Sequence, residues 1–300
     1  MHTHQHVRHR RTLLRALACL PLGLAMKARV QAADLGPAPA ATRQAQATSA
    51  APLLEGLAGH GNRIESRQSG VQRYFDQGLM LVYGFNPAEA VRSLQAAVAL
   101  DPRCASAWWA LAWALGPNIN SDMAASSEPL VLQALQQARR HAGRASPVRR
   151  ALIAALSLRH PGPGQIDEEA YATRLQALAG RYPGDADVAL LAAEALLNLH
   201  PYDWWQADGR PQPWTPAIEA LLQRAMRLQP RHPGAHHYWI HLQESSPHPA
   251  RARASADLLR HAHPGSGHLL HMPSHIDLRT GRFDEAVRAN QRSIAADERY

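Results

Sequence analysis

The sequence predicts an all-α fold in which antiparallel helix pairs stack into a right-handed solenoid. Apolar residues recur with helical spacing from Val71 onwards, and turns rich in Pro and Gly divide the pattern into short pieces. Pro230 and Pro264 stand 34 residues apart, which is the length of a helix-pair repeat. Hydrophobic residues make up 46% of the 300-residue chain, so a large core can form.

Turn signals place the individual helices. A first pair occupies residues 71–100, and the helix at 105–115 ends at Gly116-Pro117 because this dipeptide stops a helix. Further turns at 146–147, 161–164 and 183–184 separate the helices that follow. We place these helices near residues 127–142, 147–158, 167–181 and 186–199. Two further helices, near 217–228 and 283–296, lie before and after the two repeat units that carry most of the histidines.

The first 32 residues have the features of an export signal. A basic, His-rich start precedes the apolar run 16–26, and Ala32 and Ala33 offer a cleavage site. The RRTLL sequence at 10–14 resembles a twin-arginine signal, which exports folded proteins, and the apolar run is too short for a stable anchor. We expect a periplasmic or secreted bacterial protein with no transmembrane anchor in the mature chain. The alternative is a disordered start without a targeting role.

Behind the signal we expect two regions. Residues 33–67 are rich in Ala, Pro, Gln, Thr and Gly, and predict a flexible linker with at most one short helix near 53–57. Residues 68–300 form the helical repeat domain. The last helix has Ala286, Ala289 and Ile294 on an apolar face that nothing in the sequence covers, which suggests self-association or a shortened piece of a longer protein.

Charge and cysteine content exclude two classes of function. The net charge is +8, but residues 1–32 hold six cations and no acid, so the rest has 26 cations against 24 anions. A nucleic-acid-binding protein needs a clustered basic face, and none is present. The only cysteines are Cys19, in the signal, and Cys104, so the mature chain has neither an internal disulfide nor a Cys-based zinc site.

Histidines concentrate in one stretch. Residues 232–277 contain ten of the eighteen. Counted from the repeat boundaries, the same two slots are histidine in both units, namely His237 and His241, then His271 and His275. The i, i+4 spacing puts each pair on one helix face. Because equivalent helices of adjacent repeats lie side by side, we predict that the two pairs meet on one inner surface.

These four imidazoles predict a transition-metal site. His268 extends the second face one turn backwards, and Glu244 continues the first face at i+7. Histidine-rich sites bind Zn, Fe, Cu or Ni, with nitrogens at about 2.0–2.1 Å. We assign the four histidines of the repeated slots as ligands, assisted by His268 and Glu244. Glu244 is then a fifth ligand, a partner that fixes a tautomer, or a catalytic general base on metal-bound water.

Two classes of function use this surface. With an open coordination position, a metal supports hydrolysis or oxidation. The alternative is a metal-free scaffold whose concave groove binds a peptide, a protein or a small molecule by hydrogen bonding. Four further residues are candidates for the lining of the pocket: Asn118, Asn120, Glu194 and His236. In the simpler interpretation the two asparagines cap a turn, and His236, which does not share the ligand face, is a surface or packing residue.

Pro273 affects the geometry of the second pair. It lies between His271 and His275, where a proline removes a helix hydrogen bond. Either a new helix begins at Met272-Pro273, or one helix continues with a kink. Both alternatives change how the second pair is oriented.

Four segments resemble a known family. YFDQGLMLVYGFN (74–86), GPNIN (116–120), HHYWIHLQESSPHP (236–249) and GHLLHMPSHIDLRTGRF (267–283) are similar to a group of bacterial tetratricopeptide-repeat proteins that carry an HMPSH motif. The resemblance covers residues 70–300, and it implies an all-α repeat fold without an assigned reaction. Members often have a histidine where this chain has Pro87.

Overall fold

The computed structural model describes residues 51–57, 61 and 63–299. These residues form helices and no β-strand, which confirms the all-α class. The α-helices, in chain order, are α1 (Ser69–Tyr83), α2 (Pro87–Leu100), α3 (Ala105–Ala114), α4 (Glu128–His141), α5 (Pro147–Arg159), α6 (Glu168–Arg181), α7 (Ala186–Leu199), α8 (Thr215–Leu228), α9 (Pro233–Glu244), α10 (Arg253–Ala262), α11 (Gly267–His271), α12 (Pro273–Arg279) and α13 (Phe283–Asp297). Short 3-10 helices lie at Ala125–Ser127, Ala142–Arg144 and Pro249–Ala252.

Local sequence signals set the helix starts. The Asn86 side chain accepts a hydrogen bond from the Glu89 N–H ahead of α2, and Ser146 does the same for the Arg149 N–H ahead of α5. A proline follows each cap, where its missing N–H leaves no hydrogen bond unmade. The predicted helices from 127–142 to 217–228 therefore agree with the observed bounds to within two residues.

Helices adjacent in the chain pack on one another and share a continuous core. α1 packs on α2, α3 on α4, and α7 lies between α6 and α8. Each contributes fully buried apolar side chains, among them Phe75 on α1, Leu94 on α2, Leu135 on α4, Leu175 on α6 and Leu222 on α8. Burial of these faces, at about 25 cal/mol per Å² of apolar surface, is the main force holding the helices together.

Helix α9 also contacts α1, far away in the chain. Gly234 permits this approach, because a Cβ there would lie 2.6 Å from Cδ1 of Tyr83 and 2.8 Å from Cδ2 of Leu190. In an open solenoid each repeat contacts only its neighbours. The contact of α1 with α9 is therefore additional to the contacts between neighbouring helix pairs, and it forms one wall of the histidine site.

Part of the predicted linker is bound to the helical body. The Gln77 side chain accepts from the Leu54 N–H at 2.7 Å and donates to the Pro52 carbonyl at 2.9 Å, while Leu57 and Ile64 are buried. Residues 51–57 and 63–67 are therefore packed rather than free, and residues 53–57, where the sequence allowed at most one short helix, form none. The predicted export signal and the first part of the predicted linker lie outside the described residues.

Helix α13 packs differently from the expectation. Ala286 and Ala289 are buried, and α13 packs against α11 and α12, so the face they share is covered. Phe283, Val287 and Ile294 are more than half exposed instead. Among the described helices, none combines the length and the apolar character needed to cross a membrane.

Candidate metal centre

Helix α9 carries the first two histidines of the cluster. His237 and His241 lie one turn apart on one face, and their side chains are 0% and 4% exposed. Their Nε2 atoms are 3.1 Å apart. The helix is buried from Pro233 to Gln243, with Tyr238, Ile240 and Leu242 packed into the core. Two imidazole nitrogens are thus held together inside the protein.

The third imidazole comes from α11. His268 places its Nε2 atom 3.1 Å from the Nε2 of His237, and ring nitrogens of the three residues lie within 4.8 Å of one another. Two nitrogens bound at about 2.0–2.1 Å to one tetrahedral ion are about 3.3–3.4 Å apart. The observed spacing needs only a small adjustment. His237, His241 and His268, hereafter the triad, are close enough to hold a metal ion.

His271 and His275 form a second group, hereafter the pair. Their Nε2 atoms are 2.9 Å apart. Helix α11 ends at His271 and α12 begins at Pro273, so the observed geometry is the one with a new helix at the proline. The ring centroids of His275 and His241 are 5.5 Å apart, and those of His271 and His268 are 5.9 Å apart. The pair therefore lies directly beside the triad.

Three of the five rings have a hydrogen-bond acceptor at Nδ1. The partners are the Tyr83 carbonyl for His237 at 2.6 Å, Oδ1 of Asn290 for His271 at 2.6 Å, and Oε2 of Glu244 for His275 at 2.9 Å. These oxygens only accept, so Nδ1 carries the proton in each ring. The Asn290 amide is oriented by its own Nδ2, which donates to the Ala286 carbonyl at 3.0 Å. Nε2 is left as an unprotonated acceptor in all three rings.

These tautomers point nitrogen lone pairs at one another. Within the pair, the two Nε2 atoms are 2.9 Å apart, and two rings that each carry a proton only at Nδ1 have none to place between them. Within the triad, Nε2 of His237 has one lone pair but two nitrogen neighbours at 3.1 Å. Facing lone pairs repel each other, so the arrangement of the pair favours a cation between its two nitrogens.

Burial keeps the triad neutral. It lowers the pKa of His237 and of His241 well below the ordinary value, and the neighbouring imidazoles lower both further. Burial, followed by the charges of His271 and His275, lowers the pKa of His268 to about 4. Neutral imidazole is the form that binds a metal, so the site is in the metal-binding state at neutral pH.

Phe85 covers the triad from the end of α1. Its ring centroid lies 4.4 Å from that of His237, 5.2 Å from His268 and 6.0 Å from His241. Its backbone has φ +49°, a left-handed conformation that costs a non-glycine residue about 1–2 kcal/mol. The turn after α1 thus holds an aromatic ring over the imidazoles at the expense of local strain.

Glu244 lies behind the rings and away from their Nε2 atoms. Its Oε2 is 2.9 Å from Nδ1 of His275 and 4.0 Å from Nδ1 of His241. Of the three roles expected for Glu244, this geometry favours the partner that fixes a histidine tautomer. It does not support a ligand or a general base, because the carboxylate faces the opposite ring nitrogen from the one that would hold an ion.

Two residues expected to line the pocket have other partners. His236 is bonded through Nδ1 to the Ser255 hydroxyl at 2.8 Å and through Nε2 to the Pro230 carbonyl at 2.9 Å, so it packs in the interior. Asn120 is exposed and accepts a hydrogen bond from the Tyr202 hydroxyl. Neither residue lies with the triad.

Asn118 and Glu194 line a small cavity beside the cluster. The other lining residues are Val82, Phe85, Pro87, Trp113, Ala114, Gly116, Pro117 and Tyr238. Phe85 and Tyr238 also contact the His237 ring, so the cavity adjoins the triad. Burial raises the pKa of Glu194 to about 7, while the nearby Arg159 opposes that rise. The cavity thus contains a carboxyl group that changes charge near neutral pH.

Sequence reasoning missed three groups of the site. Tyr83 contributes only its carbonyl oxygen, and Phe85 and Asn290 act through contacts with distant histidines. Tyr83 and Phe85 fall within the family-like segment 74–86, which is the one signal that pointed to them. Asn290 lies on α13 with no comparable signal.

Comparison with known proteins adds no assignment. No protein-family model matches this chain, and no curated protein sequence matches it. The function is therefore argued from the geometry of the cluster.

Proposed function

We propose that this chain is a metal-binding protein in which the triad holds one divalent transition-metal ion. The observation that carries the proposal is the convergence of ring nitrogens from His237, His241 and His268 within 4.8 Å. Imidazole ligands suit Zn, Fe, Cu and Ni more than Mg or Ca. The Tyr83 carbonyl behind His237 supports the same function, because ligating histidines usually donate their other N–H to such an acceptor.

Burial favours an ion over a peptide as the occupant of this site. His237 and His241 are almost fully inaccessible, and Phe85 lies over the triad. A peptide in a groove needs exposed donors and acceptors on the groove surface, whereas an ion needs only converging lone pairs. The metal-free scaffold that binds a peptide or protein partner remains the alternative function, and it is the one that a negative metal result would favour.

Three nitrogen ligands suit metal-assisted chemistry. Catalytic zinc sites commonly use three protein ligands and keep a fourth position for water, whose pKa falls to about 7 on the ion. The class of reaction supported best is therefore hydrolysis by metal-activated water, and a redox-active ion would extend it to oxidation. Within the site, Tyr83 and Glu244 orient imidazoles, and Phe85 restricts the entry of solvent.

The proposal includes a family and a location. Stacked helix pairs and the 34-residue spacing of Pro230 and Pro264 support a tetratricopeptide-like solenoid, additionally joined by the contact of α9 with α1. The basic and apolar pattern of residues 1–32 supports export to the periplasm or beyond. Folding and metal binding before export would suit a twin-arginine signal.

The experiment is a measurement of bound metal by elemental mass spectrometry. The full chain is purified without chelator, with His2, His4, His6 and His9 replaced by glutamine so that the N-terminal tail binds no metal. We expect the triad to hold one tightly bound equivalent of Zn, Fe, Cu or Ni, which His237→Ala removes. The exposed His261→Ala is the matched control and retains the metal.

Absence of metal after reconstitution with each of these ions would overturn the proposal. Metal that survives in the His237→Ala variant would overturn the assignment to the triad. In either case a screen for peptide and protein partners becomes the next experiment.

A further inference from the structure

We infer that the pair, His271 and His275, holds a second transition-metal ion, so that the cluster is a two-ion centre. This inference rests on the proposed function, since it places a second ion beside the one assigned to the triad. It starts from the fact that the five imidazoles do not converge on one point. Nε2 of His271 is 2.9 Å from Nε2 of His275. In the triad, Nε2 of His237 is 3.1 Å from Nε2 of both His241 and His268.

The protons of the pair are fixed by groups outside it. Nδ1 of His271 donates to Oδ1 of Asn290 at 2.6 Å, and Nδ1 of His275 donates to Oε2 of Glu244 at 2.9 Å. Both Nε2 atoms therefore present lone pairs to the same point. A cation bound there would remove the repulsion and would keep both Nδ1 hydrogen bonds intact.

The break between α11 and α12 explains why there are two positions instead of one. His268 lies in the first turn of α11 and joins the α9 histidines, whereas His271 ends α11 and His275 lies in the first turn of α12. Pro273 restarts the helix between the two members of the pair. The pair therefore lies beside the triad. The ring centroid of His275 is 5.5 Å from that of His241, and the ring centroid of His271 is 5.9 Å from that of His268.

Solvent exposure distinguishes the two positions. The triad is covered by Phe85, whereas the side chains of His275 and Glu244 are 23% and 33% exposed. At an exposed position, water competes more effectively with the histidines for the ion. The ion of the pair should therefore bind more weakly and exchange faster than the ion of the triad. The Glu244 carboxylate is nearer to this outer position, at 2.9 Å from Nδ1 of His275 against 4.0 Å from Nδ1 of His241, and it offsets part of the charge of the second ion.

The test is a Co²⁺ titration of the full chain with the four N-terminal histidines replaced by glutamine. Visible absorbance and equilibrium dialysis measure how many ions bind. We expect two equivalents, one tight and one weaker, and one equivalent in the double variant His271→Ala, His275→Ala. Magnetic coupling between the two Co²⁺ ions should appear in the electron paramagnetic resonance spectrum of the wild type alone.

The outcomes separate this inference from the proposed function. If the wild type binds no Co²⁺, the proposed function and this inference both fail. If the wild type binds one equivalent and the double variant also binds one, only this inference fails, and the pair shares a proton. If the wild type binds one equivalent that the double variant loses, the single ion depends on the pair, and the two-ion centre is overturned.

A milder variant covers the case in which the double variant does not fold. Glu244→Gln keeps an oxygen acceptor at His275 but removes the charge. We expect the affinity of the second equivalent to fall by about tenfold, as for other partners of ligating histidines, with the first equivalent unchanged. Equal weakening of both equivalents would contradict separate sites. Glu298→Gln, at an exposed position on the surface, is the matched control.

Discussion

The histidine cluster differs from another buried polar group, which surrounds Arg159 at the end of α5. Arg159 is 0% exposed and is matched by opposite charge, with Nη2 2.8 Å from Oε1 of Glu168 and 3.1 Å from the Pro117 carbonyl. Its guanidinium also lies over the Tyr171 ring at 4.9 Å. In the pair of the histidine cluster, the two facing Nε2 atoms are both acceptors instead.

This difference separates a structural group from a binding site. A buried cation that meets an anion and a carbonyl has its charge matched within the chain, and its role is to hold α5, α6 and the turn after α3 together. Lone pairs that face lone pairs need a ligand, and a cation is the ligand that suits them. Burial alone therefore does not identify a functional cluster, whereas the balance of donors and acceptors does.

The largest expected effect is structural. Arg159→Met leaves Glu168 without its partner, and we expect the free energy of unfolding to fall by about 3–5 kcal/mol. The loss should be the same with metal and with chelator, as measured by urea unfolding. Arg210→Met, at an exposed ion pair, is the control and should change stability by less than about 1 kcal/mol. A loss of stability that depends on metal would contradict the distinction between the Arg159 group and the histidine cluster.

The second prediction concerns the triad. An excess of Zn²⁺ at about a hundred times the dissociation constant should stabilise the wild type by about 2.7 kcal/mol, because the ion binds only the folded state. His237→Ala should abolish this gain, and His261→Ala should keep it. Thermal unfolding with and without Zn²⁺ measures the difference. Equal gains in both variants would show that the ion binds elsewhere.

The third prediction uses opposite pH dependences. The pKa of Glu194 is raised to about 7, so its neutral form stabilises the fold at low pH, and this contribution is lost as the pH rises from about 4.5 to 7. The pKa of His268 is lowered to about 4, so burial of its neutral ring contributes to the stability of the fold above pH 6.5. This contribution to stability is lost as the pH falls towards 4.

Substitution separates these two contributions. The free energy of unfolding of Glu194→Gln, relative to that of the wild type, should be larger at pH 7.5 than at pH 5. The wild type must bury a charged carboxylate at the higher pH, whereas glutamine has no charge to bury. Urea unfolding of metal-free protein at the two pH values measures this change. Glu298→Gln serves as the exposed control. A stability difference that is the same at both pH values would show that the Glu194 carboxyl does not titrate in this range.

The smallest expected effect concerns the cover of the triad. Phe85→Gly relieves the left-handed backbone strain and removes the ring above the imidazoles. We expect release of the triad ion to chelator to become roughly tenfold faster, since the apolar shell controls solvent access to a metal site. Stopped-flow mixing with chelator measures the rate. An unchanged rate would mean that solvent reaches the ion by another path.

The sequence predicted the fold class and the residues of the cluster, but assigned their roles incompletely. The 34-residue register identified His237, His241, His271 and His275 as one set. The structure brings His268 to the α9 histidines and sets His271 and His275 apart. Equivalent repeat positions lie side by side only when the equivalent helices are equally regular. The second histidine-bearing helix is interrupted because a new helix begins at Pro273, so its histidines do not follow the repeat register.

The sequence by itself determined the local structure, namely the helices, their caps and the i, i+4 histidines of α9, because these depend on residues a few positions apart. Only the tertiary structure decided which tautomers the imidazoles adopt. The Tyr83 carbonyl that fixes His237 is 154 residues away in the chain, and Asn290 reaches His271 from α13. A backbone oxygen has no residue signature, so its role becomes visible only when packing brings α1 against α9.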